Sequence, residues 1–197
     1  MMKFRTGLKN NRIWWPTYFF LMFLTGLFSI SCAFASGRQR LHGHLPKGLE
    51  KAKIIRDVPE TDRLDLAIGL PMRNQPALDK YMRDLRDPKS PQYRHTLPDK
   101  KFDEMFRPTL KDYKALINFA KANGLTVTQT LATRLLIGVN GTVRDIQKAF
   151  HVHLHYYQWP NGPEFISPDS EPSLDIDVQV LQIDGIVYSG PPQPAGK

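Results

Sequence analysis

Arg63-Leu64-Asp65-Leu66-Ala67-Ile68-Gly69-Leu70 decides the fold of this 197-residue chain. Leu64, Leu66, Ile68 and Leu70 fall on one side, and Asp65, Ala67 and Gly69 on the other. Side chains alternate between the faces of a strand, so the spacing predicts a half-buried strand with one apolar face. Beyond it, Asn74 offers a helix N-cap, Pro76 lies in the first turn, and Leu78, Tyr81, Met82 and Leu85 recur at helical spacing. Asp87-Pro88 ends that helix, and Pro88, Pro91 and Pro98 mark a loop. A short helix follows, with Phe102, Met105 and Phe106 on one face. Pro108-Thr109 starts a longer one through Leu110, Tyr113, Leu116, Ile117 and Ala120, which Asn123-Gly124 stops.

The period then switches to two. Leu125, Val127, Gln129 and Leu131 alternate with Thr126, Thr128 and Thr130, and Leu135 to Val139 is a nearly continuous apolar strand. Asn140-Gly141 reads as a turn and Thr142 as a cap, with Asp145 at the capping-box position. Val143, Ile146, Ala149 and Phe150 line a short helix. Val152, Leu154 and Tyr156 alternate with His151, His153, His155 and Tyr157. Pro160 to Pro163 is a turn, Glu164 to Ile166 a returning edge strand, and Leu174 to Leu181 a short helix. Without the short helices after Pro98 and Ser173, the order is strand, helix, strand, strand, helix, strand. It predicts an α+β chain of the ferredoxin-like split βαβ kind, an antiparallel sheet with helices on one face and the other face free. Such a fold hosts many functions and decides none.

The N-terminal segment reads as an address. Met1 to Arg12 carries Lys3, Arg5, Lys9 and Arg12 and no acid, Ile13 to Gly37 is uncharged and mostly apolar, and the run closes on Ala33-Phe34-Ala35. These are the parts of a secretory signal peptide spanning 1–35 and cleaved after Ala35. The rival is an uncleaved anchor over residues 13–35, since the apolar run approaches the ~18–20 residues that span a bilayer. Either way the rest of the chain is expected outside the cytoplasm, secreted or periplasmic, with membrane contact only through that segment. Residues 36–62 read as a mobile leader, 63–185 as the folded domain and 186–197 as a proline- and glycine-rich tail.

That division changes the charge account. The chain has 27 basic and 19 acidic side chains, a net of +8; without the four basic residues of the address, 23 face 19, a net of +4 over 162 residues. The remaining charge is interspersed, and no basic stripe with interleaved aromatics appears, which argues against a nucleic-acid partner. Cys32, the single cysteine, also lies in the address, so a disulfide framework or multi-cysteine zinc site is excluded. Ser29-Ile30-Ser31 ahead of it is a poor match to a lipidation box.

Little in the chain carries chemistry. It has no G-x-S-x-G elbow, P-loop, GxGxxG, H-E-x-x-H or C-x-x-C, and no cofactor is expected. An acylphosphatase-like phosphate cradle needs a glycine-rich loop after the first strand, where Leu70-Pro71-Met72-Arg73 stands. His151, His153 and His155 would share one face of a strand. Three ligands on one flat strand diverge and no carboxylate is near in sequence, so a polar strand face comes first, a pH-sensitive surface second and a metal site last. Asn140-Gly141-Thr142 matches the N-glycosylation pattern, although a turn followed by a cap already explains it.

Four pieces between Arg63 and Gly185 together resemble the activation prodomain of the sedolisin (kumamolisin-like, serine-carboxyl) peptidases. They are the opening strand Leu64 to Leu70; Leu85 to His95, similar to the family's D-P-x-S-P-x-Y segment; Leu97 to Pro108, where Phe102, Phe106 and Pro108 resemble its F-x-x-x-F-x-P helix; and Gly138 to His155, similar to its G-T-x-x-x-[IV]-x-x-A-F segment. One departure lies at Thr96-Leu97-Pro98, where the family commonly has an aromatic, a leucine and a capping threonine. The resemblance implies a domain that precedes a subtilisin-like catalytic domain with Ser, Glu and Asp, assists its folding and blocks its active site until acid-triggered cleavage. No S-G-T-S segment and no catalytic Glu/Asp pair follow, so no catalytic residue carries over and no enzyme activity is expected. The implied partner is a sedolisin-type catalytic domain, whether the chain is a fragment, a split product or a stand-alone inhibitor. The free sheet face is the expected docking surface, showing Thr126, Thr128, Thr130, His153 and His155. The alternative is a stand-alone ferredoxin-like envelope module that binds a small ligand or metal and has no peptidase partner.

Overall fold

The computed structural model describes residues 37–188. The apolar N-terminal segment with Ala35, and the tail beyond Tyr188, lie outside them. In chain order the elements are β1 (Arg38–Arg40), a 3-10 turn (Leu49–Lys51), β2 (Lys53–Asp57), β3 (Arg63–Gly69), α1 (Gln75–Asp84), α2 (Asp99–Phe106), α3 (Leu110–Ala122), β4 (Thr126–Thr130), β5 (Leu136–Thr142), α4 (Val143–Phe150), β6 (Leu154–Gln158), β7 (Glu164–Pro168), β8 (Ser173–Asp175) and β9 (Gln182–Asp184). The chain is α+β. Three antiparallel sheets form: β4-β5-β3-β9, β2-β6-β7 and the pair β1-β8.

The opening strand does what its alternation dictates. Leu64, Leu66 and Ile68 of β3, with Leu70 after it, are buried beside Ile137 and Val139 of β5. Tyr113, Leu116 and Ala120 of α3, and Val143, Ile146, Ala149 and Phe150 of α4, cover that apolar face. Caps hold both helices in place. Thr109 Oγ1 accepts the Asp112 N–H at 3.0 Å, and Thr142 Oγ1 accepts the Asp145 N–H at 3.2 Å while donating to Asp145 Oδ2 at 2.6 Å.

The two helices between β3 and α3 are held differently. Asn74 precedes α1 in the left-handed region, with φ 53°, and its side chain makes no capping bond. Pro98 occupies the N-cap of α2 and offers no side-chain acceptor, so Thr96 does not substitute for the missing cap. Tertiary packing does the work instead. Tyr81 stacks on Phe106 at 5.9 Å, Phe102 meets Phe106 edge-on at 5.1 Å, and Tyr81 Oη accepts the Leu97 N–H at 2.9 Å. Phe106 is fully buried, whereas Met105, expected beside it, is on the surface.

Four expectations need correction. First, Val152–Tyr157 is not the last strand of the main sheet. Its ordered part, β6, belongs to the separate β2-β6-β7 sheet, and β9 pairs with β3 as the fourth strand, Ile183 opposite Ile68. Second, Leu174 to Leu181 is not a helix. Leu174, Ile176, Val178 and Val180 alternate with Asp175, Asp177 and Gln179, a two-residue period that favours extended backbone; Ser173–Asp175 is β8, and Leu174, Ile176 and Val180 are buried.

Third, residues 36–62 are not a mobile leader in their described part. β1 pairs with β8, β2 pairs with β6, and Leu41 and Val58 enter the core. The burial of two apolar side chains and the ladder bonds outweigh the polar composition. Likewise Ile186, which the reading put in the tail, is buried, and Tyr188 bridges Ile166. Fourth, Asn140-Gly141 is no turn but lies within β5, opposite Asp65 and Leu64. A Cβ at 141 would meet Leu125 Cδ2, so the buried Leu125 side chain would have to shift to admit one. The Asn140 carboxamide accepts from Arg63 Nε at 2.6 Å and donates to Asp65 Oδ1 at 2.8 Å.

Candidate functional site

The face of the four-stranded sheet turned away from α3 and α4 is built by the polar half of the β3 alternation. Asp65 lies opposite Asn140, Ala67 opposite Gly138, and Gly69 opposite Leu136; on the other side Ala67 and Gly69 face Asp184 and Gln182 of β9. Ala67, Gly69 and Gly138 therefore form a centre of small residues, with Leu136 on the same face beside Gly69. A Cβ on Gly138 would come within 3.0 Å of both Gln129 Cβ and Thr128 Oγ1, and one on Gly69 within 3.4 Å of Gln182 Cγ. The neighbouring strands close in over these positions and flatten the surface.

Polar groups rim this centre. The chain Arg63–Asn140–Asp65 fixes one end, and Gln182 Nε2 donates to Asp184 Oδ2 at 2.7 Å on the β9 edge. Among the described residues, no group of three or more His, Cys, Asp or Glu side chains is placed to hold a metal ion. The face brings together no nucleophile, base and oxyanion donor.

The five residues expected on this face part company. Thr126 is opposite Asn140 and lies on it. A bulge follows: the register steps between Val127, opposite Val139, and Gln129, opposite Gly138. One extra residue inverts the alternation. Thr128 and Gln129 both cross over Gly138, and Thr130, opposite the buried Ile137, turns to the helix side. His153 and His155 are elsewhere, because their strand is in the other sheet.

The histidines do not form a free stripe either. His151 ends α4 in the left-handed region, with Nε2 2.9 Å from Asp175 Oδ2. The His153 backbone N–H donates to Asp169 Oδ1 at 3.0 Å. His155 Nδ1 lies 2.8 Å from Asp57 Oδ1 and ties β6 to β2. Of Tyr157 beside it, burial pushes the phenol up, and the charge of Asp169 adds to the shift.

The residues that the sequence reading left out are Ala67, Gly69, Gly138, Gln129 and the β9 pair Gln182 and Asp184. The alternation of β3 is the one local signal, since it puts Ala67 and Gly69 on the non-apolar side; that they adjoin Gly138 depends on the pairing with β5. The bulge has no such signal.

The pro-kumamolisin activation domain model matches residues 50–188, from the turn before β2 to the Tyr188 bridge. The chain belongs to the pro-kumamolisin activation domain family. The activation domain is also similar to part of xanthomonalisin from Xanthomonas sp., 27% identical over 107 residues, which is 54% of this chain and 13% of that protein. It is similar to part of tripeptidyl-peptidase sed4 from Aspergillus fumigatus, 30% identical over 105 residues, 53% of this chain and 17% of that protein. The chain thus spans less than a fifth of the length of these curated relatives. What is matched is the activation domain, with no catalytic domain among the matches. The matched region contains all four strands of the main sheet, so the flat face is part of the family domain itself.

Proposed function

We propose that this activation domain docks through the open face of its four-stranded sheet on the catalytic domain of a sedolisin-type peptidase and inhibits it, assists its folding, or does both. The observation that supports this best is the flat centre of Ala67, Gly69 and Gly138, rimmed by polar residues, on a family domain whose relatives are peptidases. A centre of small residues admits close approach of a partner's helix or strand, and a polar rim fixes its orientation. Thr126, Thr128 and Gln129 extend the face toward one edge, and Gln182 and Asp184 toward the other. Thr130, His153 and His155 lie outside this surface and have no part in the proposed contact.

Secretion belongs to the same proposal. It rests on the basic, apolar and Ala33-Phe34-Ala35 pattern of the N-terminal segment. Among the described residues no helix is long and apolar enough to cross a membrane.

The test is an inhibition titration. A purified sedolisin-type catalytic domain is assayed with increasing amounts of this chain. Saturable inhibition at near-stoichiometric concentration is expected. Full activity at a large excess, together with no gain in refolding yield of the denatured catalytic domain, would refute the proposal.

A further inference from the structure

His44 is buried, its side chain only 7% exposed, and its ring meets the backbone of the main sheet. Nε2 lies 2.9 Å from the Ile183 nitrogen. A backbone N–H only donates, so Nε2 must carry a lone pair and no proton, and the ring proton of the neutral imidazole sits on Nδ1. Nδ1 is shut off from solvent and makes no hydrogen bond; Glu171 Oε2 is 3.6 Å away. Ile183 is the middle residue of β9, the edge of the sheet, and pairs with Ile68 on its other side. His44 therefore occupies the outer edge of β9, where an unpaired N–H would otherwise remain.

The segment carrying His44 is strapped across this edge. Glu171 accepts the N–H groups of Gly43 at 2.9 Å and His44 at 3.0 Å. The Gln39 carboxamide donates to the Val180 carbonyl and accepts the Val180 N–H, at 2.8 and 2.9 Å. Three other titratable groups surround the ring. Glu171 approaches from the loop before β8, while Asp184 from β9 and His42 from the strap line the same cleft. Asp184 is occupied by Gln182 Nε2.

We infer that His44 is an acid-sensitive latch: a neutral imidazole holds the strap to the outer edge of β9, and a protonated one cannot. An imidazolium is a donor at both nitrogens, so its Nε2–H would point at the Ile183 N–H. Glu171 lies beside Nδ1 but cannot restore an acceptor for Ile183. The ring must swing out. As pH falls through the range where imidazole gains its proton, the strap lifts and the Ile183 N–H is exposed. This device belongs to the domain alone and stands whether or not the proposed docking does.

Amide hydrogen exchange of the chain, read by NMR as protection relative to the intrinsic rate at each pH, tests it. Protection of the Ile183 amide is expected to fall at least tenfold between pH 7.5 and pH 5.0. It is expected to stay constant in His44→Gln, whose carboxamide oxygen accepts at every pH. Constant protection in the unaltered chain, or the same fall in His44→Gln, would overturn the latch. Should the variant fail to fold, ring 15N shifts of the unaltered chain decide: a proton on Nδ1 at neutral pH is required, and one on Nε2 overturns it.

Discussion

Gly185 joins β9 to the rest of the chain, and replacing it with alanine should loosen the edge of the proposed docking face. Two costs combine. The backbone φ is +88°, a region that L side chains seldom enter, and occupying it costs about 1–2 kcal/mol. A Cβ would also lie 2.5 Å from the Asp65 carbonyl oxygen and 3.3 Å from Leu66 Cδ2. The first neighbour is backbone of the central strand β3 and cannot rotate aside, so overpacking adds about 1–3 kcal/mol. The expected total is about 2–5 kcal/mol. Gly43 supplies the control: its φ is +84°, with nothing within 4 Å of a Cβ. Gly43→Ala should lose about 1–2 kcal/mol, through the backbone alone. Urea unfolding of both variants separates the two costs, because a slope of about 2 kcal/mol per molar turns the difference into a midpoint shift of roughly 0.5–1.5 M. Equal losses in the two variants would refute the claim that β9 is packed against the Asp65 carbonyl. So would a Gly185→Ala loss below about 0.5 kcal/mol.

Other substitutions probe other parts of the account. Thr142→Ala removes the acceptor for the Asp145 N–H and should cost about 0.5–2 kcal/mol in urea unfolding. Phe106→Ala empties the centre of the Tyr81–Phe102–Phe106 cluster and should cost about 3–5 kcal/mol, with the largest rise in amide exchange in α1 and α2. Acid should destabilise the domain through two carboxylates. For Glu171, burial alone would raise the carboxyl, but the N–H groups of His44, Gly43 and Leu45 outweigh it and hold it below the usual range. Hydrogen bonds from Arg38 and then His151 hold Asp175 low as well. A depressed folded value gives stability that is complete above the unfolded carboxylate range, ~3.9–4.3, and is lost as pH falls through the folded value. In His44→Gln, whose strap stays closed in acid, urea midpoints should therefore drop below about pH 4, and adding Asp175→Asn should flatten part of that limb.

What could be read from the sequence followed the strength of local signals. The β3 alternation, the α3 and α4 spacings and the Thr142–Asp145 cap are each set by neighbours within a few residues, and each forms as expected. β9 was missed because Gln182-Ile183-Asp184 is three residues long, and its membership of the main sheet depends on Ile68, far away in the chain. The bulge at Thr128 was missed for a related reason. Its threonines and valine alternate without interruption, and only the register with β5 shows that one residue is extra. Asn140-Gly141 misled in the opposite direction, since its turn chemistry is strong but the glycine serves the close approach of Leu125. For the docking face, the apolar side of β3 was plain, while its complement of Ala67 and Gly69 gained meaning only when Gly138 and the bulge appeared beside them.

Docking through the open sheet face is tested by the affinity of two variants for a sedolisin-type catalytic domain. Ala67→Arg places a long charged side chain at the flat centre of the face, opposite Gly138 and Asp184. Ile54→Arg places one on β2, in the other sheet, at a position already 50% exposed. Loss of close packing at an interface centre by about 1.4–2.8 kcal/mol corresponds to roughly 10–100-fold in Kd. Calorimetric titration should show that weakening for Ala67→Arg and an unchanged Kd for Ile54→Arg, with both domains folded. Equal affinity of Ala67→Arg and the unaltered chain would contradict docking through this face.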